Sequence, residues 1–141
     1  MKVRSILFFV VLIFQLFSCD RDRNNVIPNV LVDIEININN PEYIQISGPG
    51  GSMYLTGGSR GIIIYRVSQD QFMAYDRHCP YNPSDDCGQV SFDTSSAVIL
   101  KDACCSSQFL ITDGSVHSGP ATNSLKRYQT YFDGTILRVY N

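Results

Sequence analysis

Four of the chain's five cysteines fall in two short segments about two dozen residues apart, and that pairing constrains the fold more than any other feature. Cys79-Pro80-Tyr81 opens the first segment and Cys87 follows. Cys104-Cys105-Ser106-Ser107-Gln108-Phe109 forms the second, and Gly119-Pro120-Ala121 closes the region. A strand-like run separates the two segments, so they read as two loops meeting at one site. Disulfide bridges and a bound metal are the two ways such cysteine loops are held at one site.

The N-terminus bears on which of these applies. Lys2 and Arg4 precede an apolar run from Ile6 to Phe17, interrupted only by Gln15. The run is shorter than the ~20 residues of a membrane span, and its basic flank suits a secretory signal. It ends in Leu16-Phe17-Ser18-Cys19, which resembles a bacterial lipobox, with Cys19 as the acylated residue. The expected organisation is therefore a signal peptide over 1–18, a lipidated cysteine and polar tether over 19–29, and a domain over 30–141. Acyl chains on Cys19 would anchor the protein without a transmembrane helix. The expected location is a bacterial membrane, on the periplasmic face or the cell surface, the outer membrane included. Export leaves an even four cysteines in an oxidising compartment, where disulfides are the default. Loss of Lys2 and Arg4 takes the formal charge from −2 to −4, which with no basic run argues against nucleic acid as a partner.

The domain reads as all-β. Val30, Val32, Ile34, Ile36 and Ile38 alternate with Asp33, Glu35 and Asn37, the pattern of a half-buried strand. Tyr43 to Ile46 is expected to resume extended structure after Pro41. Ile62 to Val67 and Phe72 to Tyr75 make a hairpin across Ser68 to Gln71. Ala97 to Leu100 is a short strand, Phe109 to Ile111 pairs with Val116 around Asp113-Gly114, and Tyr128 to Phe132 pairs with Ile136 to Tyr140 across Asp133-Gly134. No stretch has the periodicity of an amphipathic helix of ten residues or more. The architecture is a set of short antiparallel strands, sandwich or barrel-like. Gly48 to Gly51 and Gly57-Gly58 lack a phosphate-loop lysine and read as turns. Asp85-Asp86 reads as a solvated loop, and His78 and His117 as partly exposed loop histidines.

From Phe72 to Pro80 the residues resemble the strand and first loop of Rieske-type domains, whose first motif is Cys-x-His. Anchoring on Phe109 lays Asp102, Ala103, Cys104, Cys105, Ser106 and Ser107 onto that family's second motif, Cys-Pro-x-His-Gly-Ser, with Gly119-Pro120-Ala121 in step behind it. The resemblance spans roughly Ile62 to Tyr140 and implies a Rieske-like antiparallel fold with a two-loop cluster subdomain. A Rieske centre holds one iron by two thiolates and the other by two imidazoles. The resemblance places Cys79 and Asp102 at the first iron, Tyr81 and Cys105 at the second. Only Cys79 keeps the family's ligand type. The resemblance also implies a Cys87–Cys104 disulfide between the loops, although the first loop is longer here through Asn82 to Asp86. It leaves Cys79 and Cys105 facing each other, where a second disulfide would replace a cluster with a covalent clamp, each bridge closing roughly 17 to 27 residues. Zinc is a rival use of the four cysteines, but Cys-x7-Cys-x16-Cys-Cys has no Cys-x2-Cys knuckle.

The expectation is a lipid-anchored, Rieske-like module that has lost its iron–sulfur cluster. It would carry no cofactor and would act through structure or an unidentified protein partner rather than as an enzyme. The rivals are an electron carrier with a [2Fe–2S] cluster in atypical ligation and a thiol–disulfide protein using Cys79 and Cys105.

Overall fold

A computed structural model describes residues 26–141. The apolar N-terminal run and Cys19 lie outside the described residues. Among the described residues, ten strands form two antiparallel sheets. They are β1 (Asp33–Asn37), β2 (Ser52–Leu55), β3 (Ile62–Arg66), β4 (Phe72–Asp76), β5 (Val90–Phe92), β6 (Ile99–Asp102), β7 (Gln108–Leu110), β8 (Val116–Ser118), β9 (Arg127–Phe132) and β10 (Ile136–Tyr140). The larger sheet has the order β1-β10-β9-β4-β3-β2, and the smaller β5-β6-β7-β8. Among the described residues no helix is long and apolar enough to cross a membrane.

The three isoleucines at the start of β3 explain how the layers stack. Successive side chains of a strand point to opposite faces, so a continuous apolar run marks a strand buried on both. Ile62 and Ile64 enter one core with Ile36, Ile46, Phe72, Ala74, Tyr128, Leu137 and Val139. Ile63 enters a second core with Met73, Tyr75, Cys79, Val90, Leu100, Phe109 and Ile111. This second core joins the two sheets, and its far edge is the cysteine region. The β3–β4 hairpin forms as expected, with Ile62 opposite Asp76 and Arg66 opposite Phe72. The β9–β10 turn closes one residue later than the Asp133-Gly134 signal suggests, because the Asp133 N–H donates to the Ile136 carbonyl.

The alternating segment from Val30 supplies β1, with Val32, Ile36 and Ile38 buried, but pairing is confined to Asp33–Asn37 opposite β10. Tyr43 to Ile46 is not extended. Pro41 sets the first turn of a 3-10 helix, Pro41–Ile46. Buried Arg66 holds its C-terminal end by donating to the carbonyls of Ile46 (3.2 Å) and Ser47 (2.6 Å).

Candidate functional site

Three loops converge at the edge of the second core. The first runs from β4 to β5 (77–89), the second from β6 to β7 (103–107), and the third, 119–126, from β8 to β9. Each is fixed by backbone contacts that do not involve the cysteine sulfurs. The second loop is a tight turn: Ser106 N–H donates to the Asp102 carbonyl and Asp102 N–H to the Ser107 carbonyl, both at 2.9 Å. Ser106 stands at φ 64 inside it, a left-handed conformation rare for a side-chain-bearing residue. The third loop rests on the second through the Ala121 N–H, which donates to Ser107 Oγ at 3.1 Å. Gly119 has φ 97, and a Cβ there would lie 2.6 Å from Ser107 Cα, so only glycine fits the contact.

Behind the first loop lies a polar support that the sequence reading passes over. The Asp76 carboxylate, at the end of β4, is fully buried. Its Oδ2 accepts from Ser59 N–H and Tyr128 O–H, both at 2.6 Å, and its Oδ1 from His78 N–H (2.8 Å) and Arg60 N–H (3.2 Å). Gly58 makes this approach feasible: at φ 63, a Cβ would fall 2.5 Å from the Tyr128 hydroxyl. His78 is 3% exposed, which corrects the expectation of a partly exposed loop histidine. Its Nε2 sits 2.7 Å from the Pro83 carbonyl and its Nδ1 2.8 Å from Ser59 Oγ. A carbonyl only accepts, so Nε2 carries a proton, and a neutral ring then receives the Ser59 hydroxyl at Nδ1. His78 is a strut between the glycine-rich turn and the first loop. The one available signal was an acid closing the apolar run of β4, with a histidine two residues later.

On this frame the cysteines separate into two pairs. Cys87 and Cys104 are joined, with S–S 2.00 Å and Cα atoms 5.7 Å apart, tying the first loop to the second. Cys79 and Cys105 are free thiols, their sulfurs 3.6 Å apart. Cys104 and Cys105 are adjacent in a turn, and one is bonded to Cys87 while the other lies beside Cys79. Asp102 joins the second pair. One of its carboxylate oxygens and the two sulfurs all lie within 4.8 Å of one another. Asp102 is fully buried; Oδ1 accepts from Cys104 N–H at 2.6 Å, while Oδ2 has no hydrogen-bond partner. Burial, with the Asp102 carboxyl alongside, pushes the Cys79 thiol well above its ordinary range, against a smaller pull from the Tyr81 N–H. Cys105 sits closer to solvent, its thiol 3.0 Å from Ser107 Oγ and 3.4 Å from the Ser107 N–H.

The donor set is thus two thiols and one carboxylate. Tyr81 is 46% exposed, both ring nitrogens of His78 are engaged elsewhere, and His117 is exposed on β8. No fourth cysteine, histidine or carboxylate joins the trio among the described residues.

No family model and no curated protein matches the sequence. Solved structures do. The cyanobacterial plasma membrane Rieske protein PetC3 from Synechocystis PCC 6803 superposes with a TM-score of 0.55 at 20% identity, covering 75% of this chain and 99% of that one. The complex of reduced oxygenase and oxidized ferredoxin in carbazole 1,9a-dioxygenase matches at 16% identity and TM-score 0.47, covering 77% of this chain and 93% of that one. The E. coli protein NirD matches at 16% identity and TM-score 0.42, covering 79% and 94%. The two-sheet architecture and the superposition on PetC3 give one answer: the chain has the fold of a Rieske-type domain.

Proposed function

We propose that this chain is a lipid-anchored Rieske-fold module that acts at a bacterial membrane surface through structure or a protein contact, without a [2Fe–2S] cluster. The observation that carries this reading is the donor set at the convergence of the loops. A Rieske centre takes two imidazoles on one iron, and the trio of Cys79, Asp102 and Cys105 contains none. The family slots of Cys79 and Cys105 belong to different irons, yet the two sulfurs stand 3.6 Å apart. Two thiolates about 2.3 Å from one tetrahedral ion lie ~3.8 Å apart, so the spacing suits ligands of a single ion. The loops meanwhile hold their geometry through the Cys87–Cys104 bond and the Asp76 and Ser107 hydrogen bonds, none of which needs a cluster.

Membrane placement rests on the lipobox-like run ending at Cys19, and the description of PetC3 as a plasma membrane protein accords with it. Globomycin-sensitive processing and palmitate labelling that disappears in Cys19→Ala test the anchor. Iron and acid-labile sulfide assays on the full chain, purified anaerobically, test the absence of the cluster. The expected content is well below stoichiometric for both. Two irons and two sulfides per chain would instead establish the second reading, an electron carrier with atypical ligands, which the free Cys79 and Cys105 thiols favour.

A further inference from the structure

A fully buried carboxylate oxygen without a partner is uncommon, because leaving it dry and unpaired costs ~1–3 kcal/mol unless something else satisfies it. Asp102 Oδ2 is such an atom, on a side chain that is 0% exposed. The Asp102 carboxylate shares its surroundings with two thiols, weak donors at best. An oxygen and two sulfurs within 4.8 Å of one another have the composition of a transition-metal ligand set. We propose that Cys79 Sγ, Cys105 Sγ and the Asp102 carboxylate bind a single divalent ion of the zinc class, with water or an external ligand in a fourth position.

The sulfur separation fits one ion. Zinc takes sulfur at about 2.3 Å and carboxylate oxygen at ~2.0–2.2 Å, which at the tetrahedral angle sets sulfur–sulfur near ~3.8 Å and sulfur–oxygen near ~3.6 Å. The observed sulfur separation of 3.6 Å needs little adjustment. The surroundings are those of a ligand shell. The Ser107 N–H lies 3.4 Å from Cys105 Sγ, and Asp102 is oriented through Oδ1 by the Cys104 N–H at 2.6 Å, which leaves Oδ2 for the metal. The Cys87–Cys104 bond and the Ala121 contact to Ser107 fix the second loop before any ion arrives. Binding breaks two S–H bonds, forms two metal–sulfur bonds and releases two protons to solvent, with no change of oxidation state. Because both thiols must give up their protons to bind, affinity rises with pH.

This inference rests on the reading that the pocket does not hold a [2Fe–2S] cluster, and the experiment keeps the two failures apart. The full chain in detergent is first assayed for iron, sulfide and zinc as isolated, then stripped with a chelator and titrated anaerobically with cobalt(II) chloride as a spectroscopic stand-in for zinc. The expected result is one equivalent of cobalt, thiolate-to-cobalt charge-transfer bands, the intense visible bands of a tetrahedral ion, and displacement by zinc chloride. Asp102→Asn, which keeps the Oδ1 acceptor, should weaken binding by at least about 100-fold, and Cys105→Ser should remove most of the charge-transfer intensity. Binding by wild type that Asp102→Asn leaves unchanged overturns the site, as does no uptake, or four cysteines already in disulfides in chain isolated without reductant. Stoichiometric iron and sulfide as isolated would sink the earlier reading instead. Should one variant lose its cooperative melt, the other and the wild-type titration decide.

Discussion

Replacing Asp76 by asparagine tests whether this buried carboxylate holds the cysteine loops in place. Asp76 accepts four hydrogen bonds, two at each oxygen, and no cationic side chain pairs with it among the described residues. Asparagine keeps only one acceptor oxygen, so its NH2 must face one of the donor pairs. The Arg60 and His78 N–H groups cannot turn away, whereas the Tyr128 hydroxyl can rotate and accept, so the NH2 settles towards Ser59 and Tyr128. The Ser59 N–H is then left unpaired inside the protein, at about 1–3 kcal/mol, and the surviving bonds fall from charge-assisted to neutral, at about 1 kcal/mol each. Relief from burying a charge offsets part of this. The expected net loss is about 2–4 kcal/mol. With a urea m-value of about 1.5 kcal/mol/M, the midpoint falls by roughly 1.3–2.7 M at unchanged slope. Tyr128→Phe removes one donor and leaves Oδ2 with the Ser59 N–H, for about 1–2 kcal/mol, and the double variant should lose less than the sum of the two. A loss under about 0.5 kcal/mol for Asp76→Asn, or strict additivity with Tyr128→Phe, would refute the reasoning.

Three further outcomes follow from the same contacts. The Tyr75 hydroxyl is buried without a partner, so Tyr75→Phe should be neutral or stabilise by up to ~1 kcal/mol in urea melts at pH 7. Burial raises Tyr75 to about 12, and burial with the Asp76 carboxylate raises Tyr128 as well. Unfolded tyrosine ionises near ~10, so the unfolded state binds fewer protons above that pH. Stability is therefore complete below pH about 10 and is lost as pH rises towards about 12, a slope that Tyr75→Phe should flatten. Ser106→Gly relieves the φ 64 conformation, and the melt should show a gain of about 0.5–1 kcal/mol after the entropic cost of glycine. Cys87→Ala/Cys104→Ala opens a bridge of sequence separation 17, which should cost about 3 kcal/mol and lower the calorimetric Tm by about 10 °C.

Much of this fold is legible in single residues. Ile62-Ile63-Ile64 and the alternation through Ile36 and Ile38 mark strands because burial on two faces and on one leave different patterns. β5 leaves no signal because three residues, Val90–Phe92, are too few to show a period. β2 is hidden because Ser52–Leu55 lies between glycine turns, with its one exposed residue the aromatic Tyr54. Tyr43 to Ile46 misleads because its β-favouring residues are overruled by Pro41 and by Arg66 from β3. At the site, motif spacing brings the right loops together, but the roles of Asp76 and His78 depend on Ser59, Pro83 and Tyr128, which lie 5 to 52 residues away from their partners. Contacts across such separations leave no local pattern.

On the proposed reading the Rieske fold is kept here around loops that do not carry the [2Fe–2S] pair. The most direct measurement is low-temperature EPR of the full chain after anaerobic incubation with iron and sulfide, desalting and dithionite reduction. The account predicts no signal from a reduced [2Fe–2S] pair, beside a reconstituted Rieske protein that gives one. A signal stoichiometric with the chain, lost in Cys79→Ser, would contradict it.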